Sequence, residues 1–159
     1  MTQILWLCVV MQFKHYTADY ILQVPFEYMM GKFKKQNWVL PLLSHVSIHG
    51  AFTFIIAYTI TLNALLALLL GLLDLGLHFL MDRIKASSDL LGRFKALSGA
   101  EYVSIKQQQA CEKLLNQSPD FILRKRLLHN KLFWIASGFD AMWHNLTDLL
   151  TIYLMVTYG

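Results

Sequence analysis

The sequence predicts an all-α integral membrane protein: a bundle of four transmembrane helices with a cytoplasmic amphipathic helical insertion between the third and the fourth. Three observations carry that expectation. Only 15% of the residues are charged while 56% are hydrophobic, against roughly a quarter charged in a soluble domain. The apolar residues gather into runs close to the length of about twenty that a bilayer requires. Apart from Lys14, the lysines and arginines fall into two segments, so the net charge of +4 reads as membrane orientation and not as a nucleic-acid footprint.

One domain, residues 1–159, accounts for the whole chain. The first span, 4–23, is interrupted by Lys14, His15 and Asp19, and Pro25 lies just past it, where a helix stops. The second and third, 39–59 and 63–82, form one apolar stretch split by an outer turn near Thr59-Ile60-Thr61-Leu62-Asn63. The insertion, 86–131, has a different composition. Within it, Ser98-Gly99-Ala100-Glu101 reads as a capping box that opens a helix running to about Leu115. Ser118-Pro119-Asp120 reads as a second start, a capping serine followed by proline at the first helical position, and that helix runs into the last span, 133–157. The N-terminus has neither a basic n-region nor a small-residue cleavage site, so the first span is expected to stay in the membrane. Cys8 and Cys111 lie in unrelated segments, and no disulfide is expected.

Lys32, Lys34 and Lys35 occupy the first loop, and ten more basic residues run from Arg83 to Lys131; the outer turn and both termini have none. The positive-inside rule then predicts both termini outside and both basic loops cytoplasmic, which in a bacterium means an inner-membrane protein with periplasmic termini. Trp6, Trp38, Trp134 and Tyr158 suit interfacial anchors. Arg124, Lys125 and Arg126, beside Phe121, Ile122, Leu127 and Leu128, suit an amphipathic helix on the anionic inner leaflet. Membrane lipids are therefore the expected partners, with a second copy or another membrane protein as a further one, and no nucleic acid.

Each span carries ionisable residues four apart, which is one helical face: His15 and Asp19; His45 and His49; Asp74, His78 and Asp82; Asp140, His144 and Asp148. Depth counted from the cytoplasmic ends, at about 1.5 Å per residue, puts Asp19, His45, His78 and Asp140 in a shallow layer. His15, His49, Asp74 and His144 fall one turn deeper. Charged groups in a span normally pair or face a cavity. The set His15, Asp19, His45, His49, Asp74, His78, Asp82, Asp140 and His144 therefore predicts a site for one or two divalent ions, zinc foremost, with manganese or iron as alternatives. Asp19, Asp74 and Asp140 are the candidate catalytic carboxylates. The competing reading is a metal-free proton relay or a structural polar network. Asp148 reads equally as a packing contact, Asp82 as a solvated residue beside Arg83, Lys14 as a snorkelling lysine, Gln12 as a lining group and His129 as a surface residue.

His15-x-x-x-Asp19 followed by Leu22-Gln23, then Ser44-His45-x-x-Ile48-His49-Gly50, His78-Phe79-x-x-Asp82 with Lys85, and Asp140-x-x-x-His144 resemble an uncharacterised family of small four-helix membrane proteins of bacteria and their phages, domain of unknown function 3307. The resemblance covers the four spans and leaves out the segment from about Ser87 to Lys131. Where the family has Asp-Gln, this chain has Asp140-Ala141. A looser similarity to membrane-bound metal-dependent hydrolases implies hydrolysis of a phosphoester or lipid-linked substrate near the cytoplasmic face. The alternative is a non-enzymatic phage or bacterial membrane protein that modifies the envelope or excludes a second infection through partners. An ion or proton pathway is a third reading, weakened by the sparse polar lining beyond Asp148.

Overall fold

Apolar runs punctuated by caps give an all-α chain. The computed structural model describes residues 2–23, 28–34, 36–116 and 120–159, and among these there is no β-strand. The first helix, α1 (Thr2–Tyr16), opens into a π-helical stretch over Thr17–Leu22, followed by a 3-10 segment at Met29–Phe33. Two long helices come next, α2 (Val39–Thr61) and α3 (Ala64–Ala86), then a short 3-10 turn at Leu91–Arg93. The chain closes with α4 (Gly99–Leu114) and α5 (Phe121–Tyr158). Both α2 and α3 are long and apolar enough to cross a membrane.

The turn expected near Asn63 is tight. Leu62 takes a left-handed conformation (φ 53°) and donates its N–H to the Tyr58 carbonyl. Asn63 caps α3 by accepting a hydrogen bond from the Leu66 N–H at 3.1 Å. So short a link makes α2 and α3 antiparallel neighbours. They approach most closely at Gly50 and Gly71, where a Cβ on either glycine would lie 2.8 Å from the other's carbonyl oxygen. Small residues at a helix crossing let backbones touch in this way. Against this pair pack α1 and α5, and α4 lies along the first part of α5.

The predicted boundaries need three corrections. The first helix is not α-helical to residue 23, because its hydrogen bonding widens to the π pattern from Thr17 onward. The third reaches Ala86, four residues past its predicted end, and the Ser87 N–H closes it on the Arg83 carbonyl. The last helix runs into the final span as expected, over 38 residues, but its cap is Asp120, whose side chain accepts from the Ile122 N–H at 2.7 Å. Pro25, Lys35, Ser118 and Pro119 lie outside the described residues. The capping box at Ser98 and Glu101 forms as expected.

The interior is divided. Leu7, Met11, Ala57, Ala67, Leu70, Ile152 and Met155 form an apolar core near the Leu62–Asn63 turn. Toward the other end buried lysine, histidine, aspartate and threonine side chains join apolar ones such as Leu42, Val46 and Met81. Among the described residues, buried polar and charged side chains are as numerous as buried apolar ones, while Leu5, Trp6, Phe13, Leu65, Trp134 and Tyr158 are exposed. That inverts the usual distribution, in which charged groups almost never lose their water.

Candidate metal centre

Steps of four residues on α2, α3 and α5, with Lys14, His15 and Asp19 from the first helix, build three tiers. The outermost holds Asp19, His45, Asp82 and Asp140. Asp19 Oδ1 lies 3.2 Å from His45 Nε2, and Asp82 Oδ2 lies 3.1 Å from the same nitrogen. The middle tier is four histidines, one from each of α1, α2, α3 and α5: His15, His49, His78 and His144. Their ring centroids are 4.1 Å apart for His49–His78, 4.4 Å for His78–His144 and 4.7 Å for His15–His144. The innermost tier is Lys14, Thr53, Asp74 and Asp148. Lys14 Nζ bridges Asp74 at 3.0 Å and Asp148 at 2.9 Å, and Thr53 donates to Asp74 at 2.6 Å.

This arrangement shifts the predicted register of α3 by one turn. Asp82, not His78, stands level with Asp19, His45 and Asp140. His78, not Asp74, stands level with His15 and His49. The depth count began at residue 82, whereas α3 ends at Ala86, and four residues at about 1.5 Å each are one helical turn. Asp82 is accordingly buried, while Arg83 turns away to stack its guanidinium 3.6 Å above the Trp38 ring. Lys14 does not snorkel; it is 4% exposed and held by two carboxylates. Gln12 is bonded to Asn145 at an exposed edge, away from the histidines.

The carboxylates orient the rings. Asp19 reaches His15 Nε2 at 2.9 Å and His49 Nε2 at 3.1 Å, from the π-helical stretch, a deviation often found at functional positions. His78 Nδ1–H donates to the Asp74 backbone carbonyl at 3.1 Å, with the Asp74 carboxylate 3.0 Å from the same nitrogen. Each ring therefore has one nitrogen against a carboxylate. The opposite nitrogens, His15 Nδ1, His49 Nδ1 and His78 Nε2, are buried without a hydrogen-bond partner. The ligand atoms of these three residues lie within 4.8 Å of one another. A histidine whose second nitrogen is fixed by a carboxylate is the usual arrangement at a metal.

Two further groupings satisfy the same distance: Asp19, His45 and His49, and Asp82, Asp140 and His144. Each has a carboxylate engaged elsewhere through at least one oxygen, although Asp140 Oδ1 and both His45 nitrogens are buried without a hydrogen-bond partner. Asp82 accepts from Lys32 at 2.8 Å, Asp140 from Lys85, and Asp19 faces three imidazoles. Asp74 belongs to none of the three groupings and acts through His78 and Lys14. Sequence reasoning missed Lys32, which it assigned to a solvated loop and which is 5% exposed. It also missed Thr53, whose four-residue step from His49 was the available signal.

Fold and site together define an all-α protein with a buried histidine–aspartate centre whose side chains are able to hold a metal ion. No protein-family model matches the chain, and no curated protein or solved structure matches it.

Proposed function

We propose that the chain is a membrane-embedded metalloprotein of four spans, α1, α2, α3 and the second part of α5, related to the family its motifs resemble. On this reading it is a metal-dependent hydrolase of a phosphoester or lipid-linked substrate. The observation that carries the metal is that His15, His49 and His78, from three helices, bring ligand atoms within 4.8 Å of one another while each keeps one buried ring nitrogen without a hydrogen-bond partner. The inverted interior supports the four spans, since exposed apolar surface and paired internal charges suit lipid as solvent.

His15, His49 and His78 would hold the ion, a three-histidine set that leaves one position open. All-imidazole donors favour zinc or iron over manganese. When bound, such an ion supplies Lewis acidity and a water acidified to near neutrality. Charge favours a single ion. Asp19, Asp74, Asp82, Asp140 and Asp148 against Lys14, Lys32 and Lys85 leave two negative charges with neutral histidines, which one divalent ion balances. His144 is placed to take a proton: its Nδ1–H donates to the Asp140 carbonyl at 2.8 Å, leaving Nε2 as the acceptor. Asp74, fully enclosed and bound to Lys14, Thr53 and His78, orients instead of accepting a proton.

A second reading is favoured by the four lysine–carboxylate contacts that Lys14, Lys32 and Lys85 make: a metal-free structural core in a non-enzymatic membrane protein. Elemental mass spectrometry on protein purified in mild detergent separates the two. About one equivalent of metal per chain is expected, lost in His49→Ala/His78→Ala with helicity retained, and kept in His45→Ala. Folded wild type that carries no metal and takes none up sinks the metalloprotein reading. Loss in His45→Ala alone moves the site to the carboxylate tier. Hydrolysis of aryl and lipid phosphates that chelator abolishes and zinc restores is the test of the enzyme.

A further inference from the structure

A second polar feature lies well away from the histidine tiers, and the proposed chemistry does not use it. The linker from Leu91 to Ser98 folds back along α5, and the Leu97 N–H donates to Asn130 Oδ1 at 2.8 Å. Asn130 is buried, so this bond fixes the linker against the helix. Phe94 then organises the bases around it. The Arg93 guanidinium lies 4.8 Å from its ring centroid, and the His129 ring meets it edge-on at 5.6 Å. Across from the linker, α5 contributes Lys125 and Arg126. The result is a pocket of about 590 Å³ whose lining includes Arg93, Lys95, Lys125, Arg126 and His129. That volume is in the range of roughly 300–1,000 Å³ typical of small-molecule sites.

Charge in the pocket is unbalanced. Glu101 is its one carboxylate, and that group is already committed: one oxygen caps α4 through Ser98 and the other accepts from Arg126 at 3.2 Å. Among the described residues, no carboxylate is within ion-pair distance of Arg93, Lys95 or Lys125. Phe121 and Ile122, both largely exposed, supply an apolar wall. The basic run predicted to lie on a lipid surface is thus divided, with Lys125 and Arg126 lining the pocket and Arg124 outside it.

We infer that this pocket binds a phosphate-bearing ligand with an apolar portion. Several cations converge there without countercharge, and guanidinium and ammonium donors match phosphate oxygens in charge and geometry. The phosphate comes either from a soluble molecule or from a lipid headgroup.

The test is calorimetric titration of the full chain in phosphatidylcholine nanodiscs. The probes are inorganic pyrophosphate and, separately, dihexanoyl phosphatidic acid, with dihexanoyl phosphatidylcholine as the uncharged-headgroup control. Lys95→Ala/Lys125→Ala removes two exposed cations that hold no other element in place. It is expected to weaken binding by about tenfold or more, from the strength of charge-assisted hydrogen bonds. Lys34→Ala/Lys113→Ala removes equal charge elsewhere and is expected to change affinity by less than about twofold. Binding of pyrophosphate assigns a soluble ligand, and binding of the short-chain phosphatidic acid alone assigns a lipid; either supports the site. The inference is overturned if neither probe binds wild type, or if both double variants weaken binding equally.

Discussion

The two ends of the helix assembly are held together by different physics. Around Leu70 the contacts are apolar side chains on small ones, with Ala57 and Ala67 fully buried between the helices. One turn after another toward Ala86, the same helices meet through ion pairs and imidazoles. At the apolar end a truncation leaves a void, whose penalty depends on how far neighbours can close it. At the polar end it leaves a charge without its partner, and a rigid, enclosed site cannot relax that away. Stability is therefore concentrated in a few charged side chains at one end and spread over many contacts at the other.

Lys14→Met should show the largest effect. It strands Asp74 and Asp148 together, and loss of a partner from a buried pair costs about 3–5 kcal/mol. Unfolding in detergent, followed by circular dichroism, should fall by that order. The triple variant Lys14→Met/Asp74→Asn/Asp148→Asn should recover most of it. If Lys14→Met unfolds like wild type, the inner tier is not a closed ion-pair network.

Two intermediate substitutions sharpen the contrast between the ends. Leu70→Ala should cost about 2 kcal/mol or a little more and leave metal content unchanged, because Leu70 belongs to the apolar core. Gly50→Ala should cost about 1–3 kcal/mol, since its methyl would press on the Gly71 carbonyl at 2.8 Å. It should also lower metal occupancy, because separating α2 from α3 draws His49 away from His78. Equal metal content in the two variants would mean that the glycine contact does not set the imidazole spacing.

Much of this was legible in the sequence, and what was not has identifiable causes. The four-residue steps placed every histidine of the middle tier on an inward face, because helical period is a local property. The partners were not legible. Lys14 and Lys32 follow the rule for exposed basic residues until the fold brings Asp148 and Asp82 beside them, residues 134 and 50 positions away. Register on α3 failed for a smaller reason, a helix that continues through charged Arg83 and Lys85 to a stop that hydropathy does not mark. The π stretch at Asp19 has no sequence signature at all. In the insertion the local capping box was readable, while the Leu97–Asn130 bond, spanning 33 positions, was not.

That capping box gives the smallest prediction and a control for the rest. Ser98 accepts from the Glu101 N–H at 3.3 Å, and Glu101 Oε2 accepts from the Ser98 N–H at 2.9 Å. The Ser98 N–H foremost, and then the Ser98 hydroxyl donating to the same oxygen at 3.0 Å, hold the Glu101 carboxyl below its ordinary value. A depressed carboxylate contributes stability above its unfolded value and loses it as pH falls through its folded one. Hydrogen-exchange protection over 99–106 should therefore be full at neutral pH and decline in acid. Ser98→Ala should cost α4 about 1 kcal/mol and flatten that pH response. Because α4 packs along the first part of α5, away from the histidine tiers, metal content should not move. A change in metal on fraying α4 would tie the insertion to the histidine tiers, and the two regions would then have to be treated as one.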